Sequence, residues 1–479
     1  RAAYDYKGKY LAEVNGRYDG TSRFPRGKRY GFFPSFSAAY RISEEAFFEP
    51  LRKTVDNLKI RLSYGSLGNQ QIGYYDFIQT ITTKGSMGDY SFDGTILGQH
   101  ATVSDPVSGN QTWEKVISKN LGADLNMFSN RLSLTADFYI RDTKGILGKG
   151  KSLPSIYGAN EPQVNSNNLR TKGYELVLGW RDSFKLAGST FSYGITGTFS
   201  DYTAEYTKCD NPSGLIGGPY VGKKYGEIWG YKVDGLFRND EEAAEYASRV
   251  DLSKVAAGYY SATGAYGKGV RGGDIKYLDL DGSGIVDGGK GTLEDPGDRR
   301  VIGNSSPRYQ YGLTLNLSWY GFDLSVFMQG IGRLDWYPGA DNLRFWGPYS
   351  RPYATFIPKN FMSQVWSESN PDAYLPRARA YTSLNSTQGT AYYTNDRYLQ
   401  NLAYCRLKNL TLGYTIPKRL TSKVGIKECR VYFSGENLAT WSALKNDFLD
   451  PEQAAADSDK KSNVYPWCRT YSVGLNLTF

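Results

Sequence analysis

The stretch DLDGSGIVD places acidic and hydroxyl side chains at alternate positions around two glycines. Oxygen donors on every second residue of a tight loop are the ligands a hard cation such as Ca2+ takes. Asp279, Asp281 and Ser283 fall at positions 1, 3 and 5 of a calcium-loop pattern, Gly284 at its sharp turn and Asp287 at position 9. Position 12, where the pattern has a bidentate Glu, is Lys290. The expectation is a structural Ca2+-like ion on Asp279, Asp281, Ser283 and Asp287. The alternative is an Asx/Gly turn without an ion.

A second run, DWYPGADNLRFWGPYSRPY, gathers Trp336, Tyr337, Phe345, Trp346, Tyr349 and Tyr353 among prolines and glycines. Flat rings with polar edges stack on sugar faces or hold peptide side chains, so these six are the candidate contacts for a substrate or a covering partner. The alternative is that they pack the loop upon itself. Proton-transfer chemistry has little to use. The one histidine, His100, stands apart from any acidic or cysteine motif, and Cys209, Cys405, Cys429 and Cys468 show neither CxxC nor metal spacing. Two disulfide bridges are possible and not required. There is no HExxH, P-loop or Gly-x-Ser-x-Gly elbow, and the expectation is a protein that is not an enzyme.

The elements that carry these residues are written in a period of two. NRLSLTADFYI sets Leu132, Leu134, Ala136, Phe138 and Ile140 on one face and Ser133, Thr135, Asp137 and Tyr139 on the other. YSVGLNLTF, at Tyr471–Phe479, does the same and finishes on an aromatic. Such alternation predicts strands near 2–18, 29–42, 55–68, 111–126, 131–146, 168–182, 188–205, 307–320, 322–335, 398–417, 427–438 and 467–479, about twelve in all. No run approaches the roughly 18–20 apolar residues of a membrane helix. Mean hydropathy is −0.51, yet a membrane β-barrel keeps its average low through a wet lumen and polar loops. Aromatics make up 15% of the chain, led by 40 Tyr, and suit a membrane–water interface. On composition alone an extracellular β-sandwich competes. The net charge of +9 is spread along the chain without a Lys/Arg run, so no nucleic-acid partner is expected and the excess reads as lumen and rim charge.

Long connections are expected near 69–110, 147–167, 206–306, 336–397 and 439–466, with short ones between. Short turns on one side and long loops on the other are a habit of outer-membrane barrels that a sandwich has no reason to share. An even strand number then predicts that both ends of the segment lie on the short-turn side.

Several blocks have a familiar wording: RYDGTSRFPRGKRYGFFPSFSAAYRISEE (17–45), LKIRLSYGSLGN (58–69), TWEKVISKNLGADLNMFSNRLSLTADFY (112–139), GDIKYLDLDGSGIVD (273–287), DRRVIGNSSPRYQYGLTLNLSWYGFDLSVFMQG (298–330), YLQNLAYCRLKNLTLGYTIP (398–417) and VYFSGENLATW (431–441). In this order they resemble the SusC-like TonB-dependent outer-membrane transporters of Bacteroidetes. The resemblance implies an all-β, transmembrane antiparallel β-barrel of roughly 22 strands, an N-terminal plug and a TonB box. It implies active import of glycan oligosaccharides or oligopeptides, with a SusD-like lipoprotein lid over the substrate and TonB supplying the energy through the N-terminal part. About half of those strands are legible here and nothing like the plug, so 1–479 is expected to be the C-terminal part of such a barrel. A passive porin, a siderophore-type receptor and a secreted adhesin are the competing readings.

Overall fold

Thirteen strands pair antiparallel in one sheet, each beside those that precede and follow it in sequence. They are β1 (Ala2–Tyr6), β2 (Tyr10–Gly20), β3 (Tyr30–Arg41), β4 (Val55–Asn69), β5 (Glu114–Met127), β6 (Leu132–Lys149), β7 (Gln163–Leu186), β8 (Ser189–Lys208), β9 (Arg308–Trp319), β10 (Phe322–Arg333), β11 (Tyr404–Thr415), β12 (Glu428–Ser442) and β13 (Thr470–Thr478). The structure, a computed structural model, describes residues 1–84, 91–92, 95–96, 100–150, 154–260, 269–351, 353, 355, 357–379, 384, 389–446, 449–454 and 467–479. Parts of the connections expected near 69–110, 147–167, 206–306, 336–397 and 439–466 lie outside the described residues.

The single strand expected over 2–18 is a hairpin. Lys7 and Gly8 adopt left-handed backbone (φ 55° and 66°), the Lys9 N–H donates to the Tyr6 carbonyl at 3.0 Å, and the Gly8 N–H donates to Asp5 Oδ1 at 2.7 Å. Alternation is blind to this turn because Tyr6 pairs with Tyr10 across it, so apolar residues keep their even spacing. The count is therefore odd, and the expectation that both ends share the short-turn side is corrected: β1 starts at the opposite end of the sheet from the end of β13. From β4 onward the connections alternate long and short. Residues 128–131, 187–188 and 320–321 are tight turns, while 209–307 and 334–403 are long.

Register aligns the two faces. Leu62 of β4 lies opposite Leu121 of β5, which lies opposite Phe138 of β6, giving an apolar row across three strands. One residue along, Arg61, Gly122 and Asp137 form the neighbouring row on the other face. A slip of one residue would exchange the two faces, so the alternation itself pins the register. On the polar face Arg61 forks to Asp124 (2.9 Å) and Asp137 (2.9 Å). Gly122 is what makes room, because a Cβ there would lie 2.5 Å from Asp137 Oδ1 and 2.7 Å from the Arg61 guanidinium carbon. Gly413 of β11 repeats the arrangement beneath Arg430 and Asp323, which pair at 2.5 Å.

The apolar face stays uncovered. On β13, Tyr471, Val473, Leu475, Leu477 and the following Phe479 are all exposed, Val473 to 80%. Aromatics bracket this face on β2 and β3. Tyr10 stacks on Tyr40 at 5.0 Å and Tyr18 on Tyr30 at 5.4 Å. Between Tyr10 and Tyr18 lie Ala12, Val14 and Gly16 on the same face. That separation is about 26 Å along the strand, close to the height of the apolar band between the aromatic girdles of a membrane barrel.

The chain divides into two compact units. Arg1–Leu176, Tyr202–Ser213 and Gly218–Lys224 make one, and within it Phe24, Phe33 and Trp113 form a small buried cluster. Val177–Asp201, Gly214–Gly217 and Tyr225–Phe479 make the other. Its main core lies among the long connections, from Tyr231 to Tyr398.

Candidate functional site

Two short ribbons frame the connection between β8 and β9: Glu227–Tyr231 pairs with Arg299–Asn304, and Val233–Leu236 with Ile275–Tyr277. A helix, α1 (Asp240–Ala247), follows the second ribbon's first strand. Asn239 caps it by accepting the Glu242 N–H at 2.8 Å, and three acidic residues occupy its first turn, where the helix dipole favours negative charge. The connection between β10 and β11 packs onto these elements through aromatic side chains, and together they bury Phe237, Tyr259, Tyr277, Trp346 and Tyr398 completely.

The aromatic run supplies much of that core. Trp346 meets Tyr398 edge-on at 5.0 Å and Phe345 at 4.8 Å, and its indole N–H donates to the Pro338 carbonyl at 3.2 Å. Tyr349 is buried and donates to the Pro376 carbonyl at 2.5 Å. Tyr337 donates to the Tyr393 carbonyl at 3.0 Å and accepts from Asn395 Nδ2 at 3.1 Å. Burial pushes the Tyr337 and Tyr277 phenols well above their ordinary range, so both remain neutral donors. Phe345, Trp346 and Tyr349 thus have covered faces and pack the loop upon itself. Trp336 and Tyr337 are half-buried, and Tyr353 is the ring left open, at 82% exposure.

The acidic turn is built as an Asx loop. Asp279 accepts the N–H groups of Gly282 (2.8 Å) and Gly284 (2.9 Å), and Asp281 accepts that of Ser283 (2.9 Å). Carboxylate oxygens of Asp279, Asp281 and Asp298 lie within 4.8 Å of one another. Asp298 is the member that spacing did not single out. It lies beyond the loop pattern, on the next segment, and is brought in because its Oδ1 and Oδ2 accept from Leu280 (2.6 Å) and Asp287 (2.9 Å). Burial raises its carboxyl above the usual range, whereas hydrogen bonds from Ser283 lower that of Asp281. Asp287 does not join the group: its Oδ1 accepts the Gly289 N–H at 2.7 Å. The Ser283 hydroxyl donates to the Ile285 carbonyl at 3.0 Å. All four cysteines are unbridged.

Against the loop core, Asp274 and Arg379 form a buried pair at 2.6 Å, with the guanidinium 4.1 Å from the Tyr259 ring centre. Burial raises Asp274 to about 6 against the pull of Arg379. Another buried guanidinium, Arg406 of β11, holds Glu452 at 2.7 Å and also Asp450, tying residues of the last long connection to the polar face. Arg379 and Arg406 had no local signal in the sequence, since their partners lie far along the chain.

Comparison with known proteins places this architecture. Residues 1–438 match the family described as TonB dependent receptor-like, beta-barrel. The TonB-dependent receptor P26 of Formosa agariphila is 29% identical over 500 residues, covering 100% of this chain and 45% of that protein. The TonB-dependent receptor SusC of Bacteroides thetaiotaomicron is 23% identical over 494 residues, covering 100% of this chain and 43% of that protein. The structure of the RagAB peptide transporter superposes with a TM-score of 0.72 at 21% identity, over 100% of this chain and 47% of that one. The chain spans about half the length of the curated relatives it matches. An antiparallel sheet with an uncovered apolar face, ring-bracketed strands and alternating connections, matched by that family over most of its length, makes this chain a member of the TonB-dependent receptor β-barrel family, a β-barrel of the outer membrane.

Proposed function

We propose that the protein takes part in TonB-energised import of oligomeric nutrients, glycan oligosaccharides or oligopeptides, beneath a SusD-like lipoprotein lid. The observation that carries the reading is the organised core of the long connections. A passive pore needs only loops that leave its mouth open, whereas here two connections share a buried aromatic core. Long loops in compact proteins are usually functional, and a shaped, rigid rim is what a covering partner and an enclosed ligand both require. Family membership supports the TonB part, and SusC and RagAB are the relatives in whose company the lid and the oligomeric substrate enter. The reading gives the chain no catalytic step. It retains a structural Ca2+-like ion, now expected on Asp279, Asp281 and Asp298.

The test is purification from the native membrane together with uptake in cells with and without the TonB system. A co-purifying surface lipoprotein and TonB-dependent growth on an oligomeric nutrient are expected. A barrel that purifies alone, with uptake that survives deletion of the TonB system, points to the passive pore instead.

A further inference from the structure

A cavity of about 340 Å3 opens beside the ribbon that pairs Glu227–Tyr231 with Arg299–Asn304, walled by Trp229, Tyr231 and Tyr393 and by the glycine-rich segment 288–291. Two cations, Lys290 and Arg299, line it. Pairing in the ribbon sets Arg299 opposite Tyr231, and the segment folds back over its side chain, so that Arg299 Nη2 donates to the Gly288 carbonyl at 2.6 Å. Arg299 Nε–H is buried and, among the described residues, has no hydrogen-bond partner. Buried donors are almost always paired, so such a group calls for an acceptor.

The acidic residues nearby do not supply it. Asp287 accepts from Gly289, and Asp298 accepts from Leu280 and Asp287. Glu227 accepts the Trp229 indole N–H at 2.7 Å. Among the described residues neither Lys290 nor Arg299 makes an ion pair. The glycines keep the pocket open around the cation: a Cβ at Gly288 or Gly291 would come within 3.0 Å of the Arg299 guanidinium. Gly291 also has φ +72°, a conformation that side chains disfavour.

We propose that this cavity binds a carboxylate of the imported oligomer, with Lys290 and Arg299 taking the charge and Trp229, Tyr231 and Tyr393 packing against the unit that bears it. A guanidinium donor beside an ammonium matches a planar anion, and the flanking rings favour a group with an apolar or ring face next to its charge. The carboxylate has two sources, the C-terminus of an oligopeptide or the uronate of an acidic glycan. The inference rests on the import reading and narrows its substrate to one that presents a free carboxylate.

The experiment is calorimetric titration of the purified full-length protein with tetraalanine and its C-terminal amide, and with tetragalacturonate and its methyl ester. At least one free acid should bind roughly tenfold more tightly than its blocked form, as one charge-assisted bond is worth. Lys290→Gln, at an exposed side chain with no structural bond of its own, should bring that ratio close to one. Arg299→Gln should do the same. Preference for tetraalanine assigns a peptide carboxyl, and preference for tetragalacturonate a uronate. Equal affinity within both pairs, no binding of either acid, or a preference that survives both substitutions overturns the proposal. These readouts use no TonB, so failure of the import reading is seen separately, in uptake that no longer depends on TonB.

Discussion

Trp346 shows how the chemistry of one side chain depends on where its loop goes. Its ring is fully buried between Phe345 and Tyr398, and its only polar atom is satisfied by Pro338. Trp346→Ala leaves a large cavity and should cost the loop core about 3–5 kcal/mol. Limited proteolysis should then cut 334–403 many times faster, while the heat-modifiable barrel persists, because that core is distinct from the membrane strands. Tyr353→Ala, at an exposed ring, should leave proteolysis unchanged. The acidic turn makes an equally local prediction. Where Asp279, Asp281 and Asp298 hold calcium, chelator should speed cleavage within 209–307, and Asp279→Ala with Asp281→Ala should abolish that sensitivity. Terbium luminescence from the wild-type protein checks occupancy directly, and a chelator-insensitive wild-type loop that gives no luminescence identifies a plain turn.

At the scale of the strand, the polar face depends on its glycines. Arg61, Asp124 and Asp137 come from three adjacent strands and meet above Gly122, which no larger residue replaces without pushing the guanidinium aside. Gly122→Val raises β-propensity and should still lower the amount of assembled barrel, because it pushes apart a half-buried, forked guanidinium–carboxylate arrangement that joins three strands. Gly122→Ala should be milder than Val and in the same direction. Heat-modifiability on gels reads both, and normal assembly of the Val variant counts against the ion-pair role. β13 is held on one side by β12, with Leu477 opposite Cys429 and Leu475 opposite Val431. Deleting Leu477–Phe479 removes the end of that ladder and of the apolar row, and should reduce assembled barrel without reducing synthesis.

For the whole molecule, the alternation of connection lengths makes sidedness testable. A protease site inserted within 209–307 or 334–403 should be cut on intact cells, and one inserted at Ser129 or Gly321 only after lysis. The reverse pattern contradicts the topology. The hairpin at Lys7 and Gly8 adds a sharper version: a tag at Gly8 should behave like one at Gly321, because both turns lie at the same end of their strands.

Much of this was written locally in the chain. A period of two needs only neighbours in sequence, so β4, β5, β6, β9, β10 and β13 were legible to within a few residues, as were the apolar face, the register it imposes and the sorting of loops by length. The acidic turn was legible for the same reason, since Asp279 and Asp281 bond to N–H groups within five residues. Alternation failed where it runs unbroken through a turn, at Tyr6 and Tyr10, and that one miss changed the strand count and the side on which β1 begins. What depends on distant partners was left to the tertiary structure. Packing of one long connection on another buried Phe345, Trp346 and Tyr349 and left Tyr353 open. The fold also brought Asp298 to Asp279, Arg379 to Asp274, and Lys290 to Arg299 beside Tyr393. A long loop carries no periodicity that tells which of its rings face inward, because that is decided by which other segment covers them.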